Sequence, residues 1–306
     1  MGDFDHKVVF ITGAARGQGR VAALTLAREG ADIVAFDLGE PIPYPAYNRS
    51  SNEDLERLKD EIEALGRRCL ICAGDVRDEE AVRSAVDHAI EAFGHIDVLF
   101  SNAGICAYGN SWELTPAEWE AMIGINLTGS WNVSRFIIPH MIEQKHGVII
   151  YNSSIAGLRG CRRLAHYSAS KHALVGLARS QAIELAPYNI RVLTLHPTDV
   201  NTDMNKGMAA QEGETPEAIA NRSGGQLLPV PWIESEDVAE ALRYVASDRA
   251  RFVTGYPFVI DAGMLTKYTK GEQICPTVPS SSTKMQMKRP AESSTSGSRS
   301  TVPSPT

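Results

Sequence analysis

Residues 7–20 read KVVFITGAARGQGR, and this stretch decides the fold. A short, mostly apolar run passes directly into a turn that holds Gly13, Gly17 and Gly19, and a helical pattern follows. Glycines let the backbone approach a pyrophosphate closely, and the first turn of a helix offers unpaired N–H groups and the positive end of a dipole. Turns before helices often contain glycine, so this motif alone is weak evidence.

An acidic residue makes the glycine-rich turn more specific. Asp37 ends the next predicted strand, 18 positions beyond Gly19. A carboxylate at this point accepts hydrogen bonds from a ribose diol and repels a 2′-phosphate, which favours NAD over NADP. Arg16 in the same turn favours the opposite choice, because a cation attracts that phosphate. We expect repulsion from Asp37 to dominate, so NAD is the predicted cofactor and NADP the alternative.

Strand and helix patterns alternate along most of the chain. Strands are predicted at 7–12, 31–37, 67–75, 95–102, 147–154, 190–197 and 256–263. Helices are predicted at 17–29, 51–66, 78–93, 116–144, 166–186 and 236–247. Most of the strands are continuous apolar runs, which suits strands buried on both faces. The pattern predicts an α/β fold: one Rossmann-type, doubly wound, parallel seven-stranded sheet with helices on both faces.

Two long connections and a polar tail complete the predicted organisation. Residues 1–268 form the predicted Rossmann-fold domain. Within it, 38–50 is a proline-bearing insertion that disfavours a helix, and 198–235 is a long loop expected to contact the substrate. Residues 269–306 are rich in Ser, Thr and Pro and show no apolar periodicity, so they are expected to be disordered.

Composition excludes several classes of protein. The 306-residue chain is 43% hydrophobic, which is enough for a large core, and its net charge of −7 argues against a nucleic-acid partner. No apolar run approaches the ~18–20 residues of a membrane span, and the opening MGDFDHKVVF does not resemble a signal peptide. Five scattered cysteines do not suggest a disulfide framework. A cytoplasmic protein is expected.

Three further side chains suggest proton transfer. Tyr167 and Lys171 lie four residues apart in a predicted helix, so they share one face. A phenol titrates near pH 10, and a nearby ammonium would lower its pKa towards the neutral range. Ser154 ends the preceding strand, where its hydroxyl can hold a substrate oxygen. We therefore expect Lys171 to lower the pKa of Tyr167.

These motifs together resemble those of the short-chain dehydrogenase/reductase family. The similarity includes TGAARGQG, SNAG at 101–104, Asn126, the NSS that ends at Ser154, and YSASK at 167–171, and it covers about residues 5–266. The spacing of 13 residues between Ser154 and the tyrosine of YSASK also matches.

The resemblance implies roles for the residues that match. Tyr167 would be the general acid or base, and Ser154 would orient the reacting oxygen. Lys171 would bind the nicotinamide ribose, and Asn126 would anchor a water relay to Lys171. The residues expected at the cofactor are Thr12, Gly13, Arg16, Gly17, Gln18, Gly19, Asp37, Asp75, Val76, Asn102, Ala103, Gly104, Tyr167, Lys171, Pro197, Val200 and Thr202. Family members usually form homotetramers, so a homotetramer is expected.

A narrower resemblance points to a substrate class. GAARGQGR, the insertion after Asp37, DLERLKDEIEALGRR and HPTDVNTDM are similar to the mycofactocin-associated enzymes that include carveol dehydrogenases. In that subgroup the insertion covers NAD and leaves it tightly held; a relative with freely exchanging NAD is the alternative. The expected substrate side is lined by Ile105, Cys106, Tyr108, Trp112, Leu158, Leu164, Met204 and Met208.

This mostly apolar lining predicts a small hydrophobic partner. We expect an oxidoreductase that interconverts a terpenoid-like, alicyclic or aromatic secondary alcohol and its ketone, using NAD. One alternative is an NADPH-dependent ketoreductase of a biosynthetic pathway. Another is a non-catalytic NAD-binding regulatory or scaffold protein.

Other reactive side chains are interpreted as structural. Cys69 and Cys72 lie on a predicted strand, where positions three apart face opposite sides, so packing is favoured over redox or metal chemistry. His166 and His196 are expected to be packed, hydrogen-bonded imidazoles. No set of His, Cys and carboxylates has metal-ligand spacing, so no metal is predicted.

Overall fold

The computed structural model describes residues 2–48, 50–222 and 225–266. The chain divides into two units, 1–267 and 268–306. The second unit lies outside the described residues, and so does the tail predicted at 269–306.

The described residues form one seven-stranded sheet, which confirms the predicted fold class. The strands are β1 Val8–Thr12, β2 Asp32–Asp37, β3 Cys69–Ala73, β4 Val98–Ser101, β5 Gly147–Asn152, β6 Ile190–Pro197 and β7 Pro257–Ile260. Their order is β3-β2-β1-β4-β5-β6-β7, and every neighbouring pair is parallel. Because β1 has β2 on one side and β4 on the other, successive connections turn in opposite directions there and leave a crevice at the carboxyl ends of the strands.

Helices cover both faces of the sheet in the described part of the chain. They are α1 Gly17–Arg28, α2 Asn52–Ala64, α3 Glu79–Phe93, α4 Pro116–Ile123, α5 Ser130–Gln144, α6 Ala165–Leu185, α7 Asp203–Gln211, α8 Pro216–Arg222 and α9 Ser235–Ala246. One apolar cluster packs α1, α2 and α9 against the sheet, and a second packs α3, α4, α5 and α6 against it. The central strands are therefore buried on both faces, which explains their continuous apolar runs. No helix among these residues is long and apolar enough to span a membrane.

Two details differ from the predicted elements. The helix predicted at 116–144 consists of α4, a π-helical segment Gly124–Gly129 and α5. The predicted loop at 198–235 contains α7 and α8. Both helices are short, at 9 and 7 residues, and neither has a clear apolar stripe, so periodicity did not reveal them.

Candidate active site

A cavity of about 610 Å³ lies at the carboxyl ends of the strands. Most of the predicted site residues line it: Gly13, Arg16, Gly17, Gln18, Asp37, Asp75, Val76, Asn102, Ala103, Gly104, Ser154, Tyr167, Lys171, Pro197, Val200 and Thr202. Residues that are far apart in the sequence thus meet in one crevice, where open α/β sheets bind their ligands.

Three predicted residues lie behind the lining and support it. The Thr12 hydroxyl accepts hydrogen bonds from the backbone N–H groups of Asn102 and Ala103, both at 2.9 Å, and so joins the ends of β1 and β4. A Cβ on Gly19 would lie 2.0 Å from the Gly13 carbonyl oxygen, so only glycine allows α1 to begin this close to the turn.

Asn126 is the third supporting residue, and it lies in the π-helical segment. Its Oδ1 accepts a hydrogen bond from the Ile105 N–H at 2.8 Å, and its Nδ2 donates to the Ile105 carbonyl at 2.9 Å. A Cβ on Gly104 would lie 3.2 Å from Asn126 Oδ1 and 3.5 Å from Lys171 Nζ. Asn126 Oδ1 and Lys171 Nζ therefore approach the same glycine. Lys171 Nζ itself donates a hydrogen bond to the Asn152 carbonyl oxygen at 2.7 Å.

The proposed proton-transfer group is assembled by β5 and α6. Lys171 lies one turn beyond Tyr167 on α6, with its Nζ 5.6 Å from the centroid of the phenol ring. Ser154 follows β5, and its hydroxyl lies near enough to the Tyr167 phenol to lower the pKa of that phenol. The same hydroxyl accepts a hydrogen bond from the Ala156 N–H at 3.1 Å. The three predicted side chains are therefore brought together.

His196 holds the backbone of Ser154 in place. Its Nδ1 lies 2.6 Å from the Ser154 carbonyl oxygen, and its Nε2 lies 2.7 Å from the Thr194 hydroxyl oxygen. Because a carbonyl only accepts, Nδ1 carries the proton and Nε2 accepts from Thr194. Burial lowers the pKa of His196 to about 4, which keeps the imidazole neutral at neutral pH. The predicted packed, hydrogen-bonded role of His196 agrees with this arrangement.

Burial controls the protonation of the tyrosine and the lysine. Desolvation raises the pKa of Tyr167 well above its ordinary value, and the nearby Ser154 hydroxyl lowers it only in part. Desolvation lowers the pKa of Lys171 to about 8. In the chain without cofactor the pKa of Tyr167 is thus raised, opposite to the expected direction, because the loss of hydration is the largest influence on it.

The chemistry of the cavity fits a dinucleotide with a free ribose diol. Asp37 Oδ2 accepts from the Ala15 N–H at 2.9 Å, and Oδ1 accepts from the Leu38 N–H at 2.8 Å and the Ser50 hydroxyl at 2.6 Å. A carboxylate has about four acceptor positions, so about one is left for a ribose hydroxyl. The Arg16 guanidinium donates to Asn48 and is thereby engaged by the chain itself.

The insertion at 38–50 lines part of the cavity and contacts other elements around it. The Tyr47 hydroxyl donates to the Cys106 carbonyl oxygen at 2.7 Å, and the Tyr47 ring packs so closely on Gly207 that a Cβ there would lie 2.3 Å away. The Tyr44 hydroxyl lies 3.0 Å from Nε2 of the fully buried His166. The insertion therefore bridges three separate elements, and His166 holds it rather than lining the cavity.

The substrate side differs from the predicted lining. Ile105, Cys106, Tyr108, Leu164, Met204 and Met208 line the cavity as expected. Leu158 and Trp112 do not, and Trp112 is 80% exposed, because its segment turns away before α4. Sequence reasoning missed the charged lining residues Arg159, Arg163, Asp199 and Glu212. Arg159 and Asp199 closely follow the motifs at Ser154 and Pro197, but this position in the sequence does not show that their side chains meet.

Within the described ranges, no group of three or more His, Cys, Asp or Glu side chains could hold a metal ion. Cys69 and Cys72 are free thiols on β3.

Comparison with known proteins identifies the family. The sequence model described as short chain dehydrogenase matches residues 7–213. The chain belongs to the short-chain dehydrogenase family. A (-)-trans-carveol dehydrogenase of Rhodococcus erythropolis is 40% identical over 278 residues, which cover 87% of this chain and 100% of the relative.

Solved short-chain dehydrogenase structures show the same architecture. A carveol dehydrogenase from Mycobacterium avium in complex with NAD has a TM-score of 0.84 and 40% identity, covering 87% of this chain and 100% of that one. A short chain dehydrogenase from Mycobacterium paratuberculosis bound to NAD has a TM-score of 0.82 and 38% identity, with the same coverage. The predicted family resemblance and the choice of NAD agree with these relatives.

Replacement of Lys171 by Met should change how stability depends on pH. The ordinary lysine pKa of 10.5 falls to about 8 in the folded chain, so between these values the unfolded chain binds more protons. Stability of the wild type should therefore rise with pH relative to Lys171→Met, by on the order of 3 kcal/mol from about pH 7 to about pH 10.

Chemical denaturation at a series of pH values measures this difference. Lys206→Met is the matched control because Lys206 is exposed, and its stability should follow the wild type throughout. A constant difference between the wild type and Lys171→Met across that range would contradict the burial of the charge.

Proposed function

We propose that this protein is an NAD-dependent oxidoreductase that interconverts a hydrophobic secondary alcohol and its ketone. The observation that carries the proposal is the presence of Ser154, Tyr167 and Lys171 in the same cavity as the glycine-rich turn and Asp37. Names of similar proteins support it, since they include a carveol dehydrogenase and NAD complexes. The apolar part of the lining favours a terpenoid-like, alicyclic or aromatic substrate.

Each side chain then has a defined task in the reaction. NAD supplies the group that accepts or returns a hydride when it is bound. Ser154 donates a hydrogen bond to the substrate oxygen, and Tyr167 transfers a proton to or from that oxygen. The raised pKa of Tyr167 keeps the phenol protonated in the chain by itself, which suits an acid for ketone reduction. For alcohol oxidation, the positive charge of Lys171 stabilises the phenolate.

The cofactor contacts follow from the same geometry. Asp37 would hold a ribose hydroxyl, and the N–H groups at the start of α1 would hold the pyrophosphate. The insertion at 38–50 favours a tightly held NAD, because it is anchored to several elements around the cavity. We also propose a homotetramer; Trp131 on α5 and Ile183 on α6 are exposed, and a monomeric mass in solution would contradict it. A cytoplasmic location stays a prediction.

Replacement of Tyr167 by Phe should remove the proton-transfer step without disturbing the cavity. We expect kcat for alcohol oxidation and ketone reduction to fall by about a hundredfold or more. The affinity for NAD should change little, because the ring remains. Tyr188→Phe, a change at an exposed tyrosine, is the control and should retain activity. Full activity of Tyr167→Phe would instead favour a non-catalytic NAD-binding protein.

Replacement of Asp37 by Ala should weaken the preference for NADH over NADPH. Loss of the carboxylate removes both a ribose acceptor and the repulsion of a 2′-phosphate, so the ratio of the two kcat/KM values should shift by about tenfold or more. Ser50→Ala is the matched control, because it removes one hydrogen bond to Asp37 and leaves the charge. A wild-type enzyme that prefers NADPH would favour the alternative biosynthetic ketoreductase.

A further inference from the structure

Two opposite charges face the substrate side of the cavity without pairing. Arg159 lies between β5 and α6, five residues beyond Ser154, and Asp199 follows β6. Both line the cavity. Within the described residues they form no ion pair with each other within 4.0 Å. Burial raises the pKa of Asp199, and the charge of Arg159 offsets that rise only in part.

Both side chains carry buried polar atoms that lack a partner. Asp199 Oδ2 and Arg159 Nε are enclosed and have no hydrogen-bond partner among the described residues. Two further pairs of contacts in the lining differ from this: Arg163 Nη1 lies 2.5 Å from Glu212 Oε2, and Asp37 accepts three hydrogen bonds. A buried polar atom left unpaired costs free energy that a ligand group can recover.

The surroundings of Asp199 place it near the substrate. Burial is the main reason that the pKa of the Cys106 thiol, which lines the cavity, is raised; the charge of Lys171 opposes this rise, and the charge of Asp199 adds to it. Asp199 therefore lies within electrostatic reach of the residue that faces the predicted substrate, close to the proton-transfer group.

The two charges select the chemistry of the ligand. A guanidinium only donates hydrogen bonds, and a carboxylate only accepts them. Asp199 would repel a ligand carboxylate, and Arg159 would repel a ligand ammonium. A neutral hydroxyl can donate to Asp199 and accept from Arg159 at the same time.

We infer that the substrate carries a second, unreacting hydroxyl that binds between Asp199 and Arg159, while the reacting oxygen binds at Ser154 and Tyr167. This inference rests on the proposed function and narrows its substrate to hydroxylated ring alcohols. Asp199 and Arg159 are then specificity residues that hold the far end of the substrate and take no part in proton transfer.

Calorimetric titration of the full chain with NAD present tests the inference without requiring turnover. The ligands are cyclohexanol and the positional isomers of cyclohexanediol. In the wild type, at least one diol should bind about tenfold more tightly than cyclohexanol, beyond the statistical advantage of two hydroxyls. Asp199→Ala and, independently, Arg159→Met should reduce the ratio of diol affinity to cyclohexanol affinity to the value expected from the presence of two equivalent hydroxyls alone.

Asp87→Ala is the matched control, because it removes an exposed carboxylate on α3 that does not line the cavity, so the ratio should stay as in the wild type. The inference is overturned if no diol exceeds the statistical advantage, or if Asp199→Ala weakens NAD binding while the diol preference persists. A diol preference without turnover of any alcohol would contradict the proposed function alone. Turnover of cyclohexanol without a diol preference would contradict this inference alone.

Discussion

The burial of the Lys171 ammonium beside the Tyr167 phenol is the constraint on which the site depends. Water is largely excluded from both groups, so the pKa of Lys171 falls to about 8 and the pKa of Tyr167 rises. The ammonium is retained by a hydrogen bond to the Asn152 carbonyl at the end of β5. Burial of the ammonium costs free energy, but it places a cation where a phenolate would form. Because Lys171 lies on α6 and its acceptor Asn152 lies on β5, the arrangement requires these two elements to pack in one fixed register.

The topology of the sheet creates the crevice around Tyr167 and Lys171. The reversal of strand order at β1 opens the crevice, and Thr12 and Asn102 join its two sides. His196 on the neighbouring β6 fixes the Ser154 backbone, so two adjacent strands, β5 and β6, position Ser154. The insertion at 38–50 contributes Leu38, Ile42, Tyr47 and Asn48 to the lining of the cavity, and it contacts α6 through Tyr44 and His166.

Sequence patterns predicted the fold and the placing of Tyr167 and Lys171 in one cavity because both depend on local, periodic constraints. Strands buried on both faces are apolar throughout, and a Tyr and Lys four residues apart must share a helix face. The unpaired charges of Arg159 and Asp199 were not predictable, because their meeting depends on how two separate loops fold over the cavity. The direction of the Tyr167 pKa was missed for a related reason: spacing shows a neighbouring cation but does not show the loss of hydration.

Titration of the Tyr167 phenol tests the central claim most directly. The difference in near-ultraviolet phenolate absorbance between the wild type and Tyr167→Phe isolates this one group. Without cofactor, Tyr167 should ionise well above the ordinary value of 10.0, and the positive charge of bound NAD should lower that pKa. A phenol that ionises below its ordinary value in the cofactor-free protein, or one that does not respond to NAD, would contradict the account.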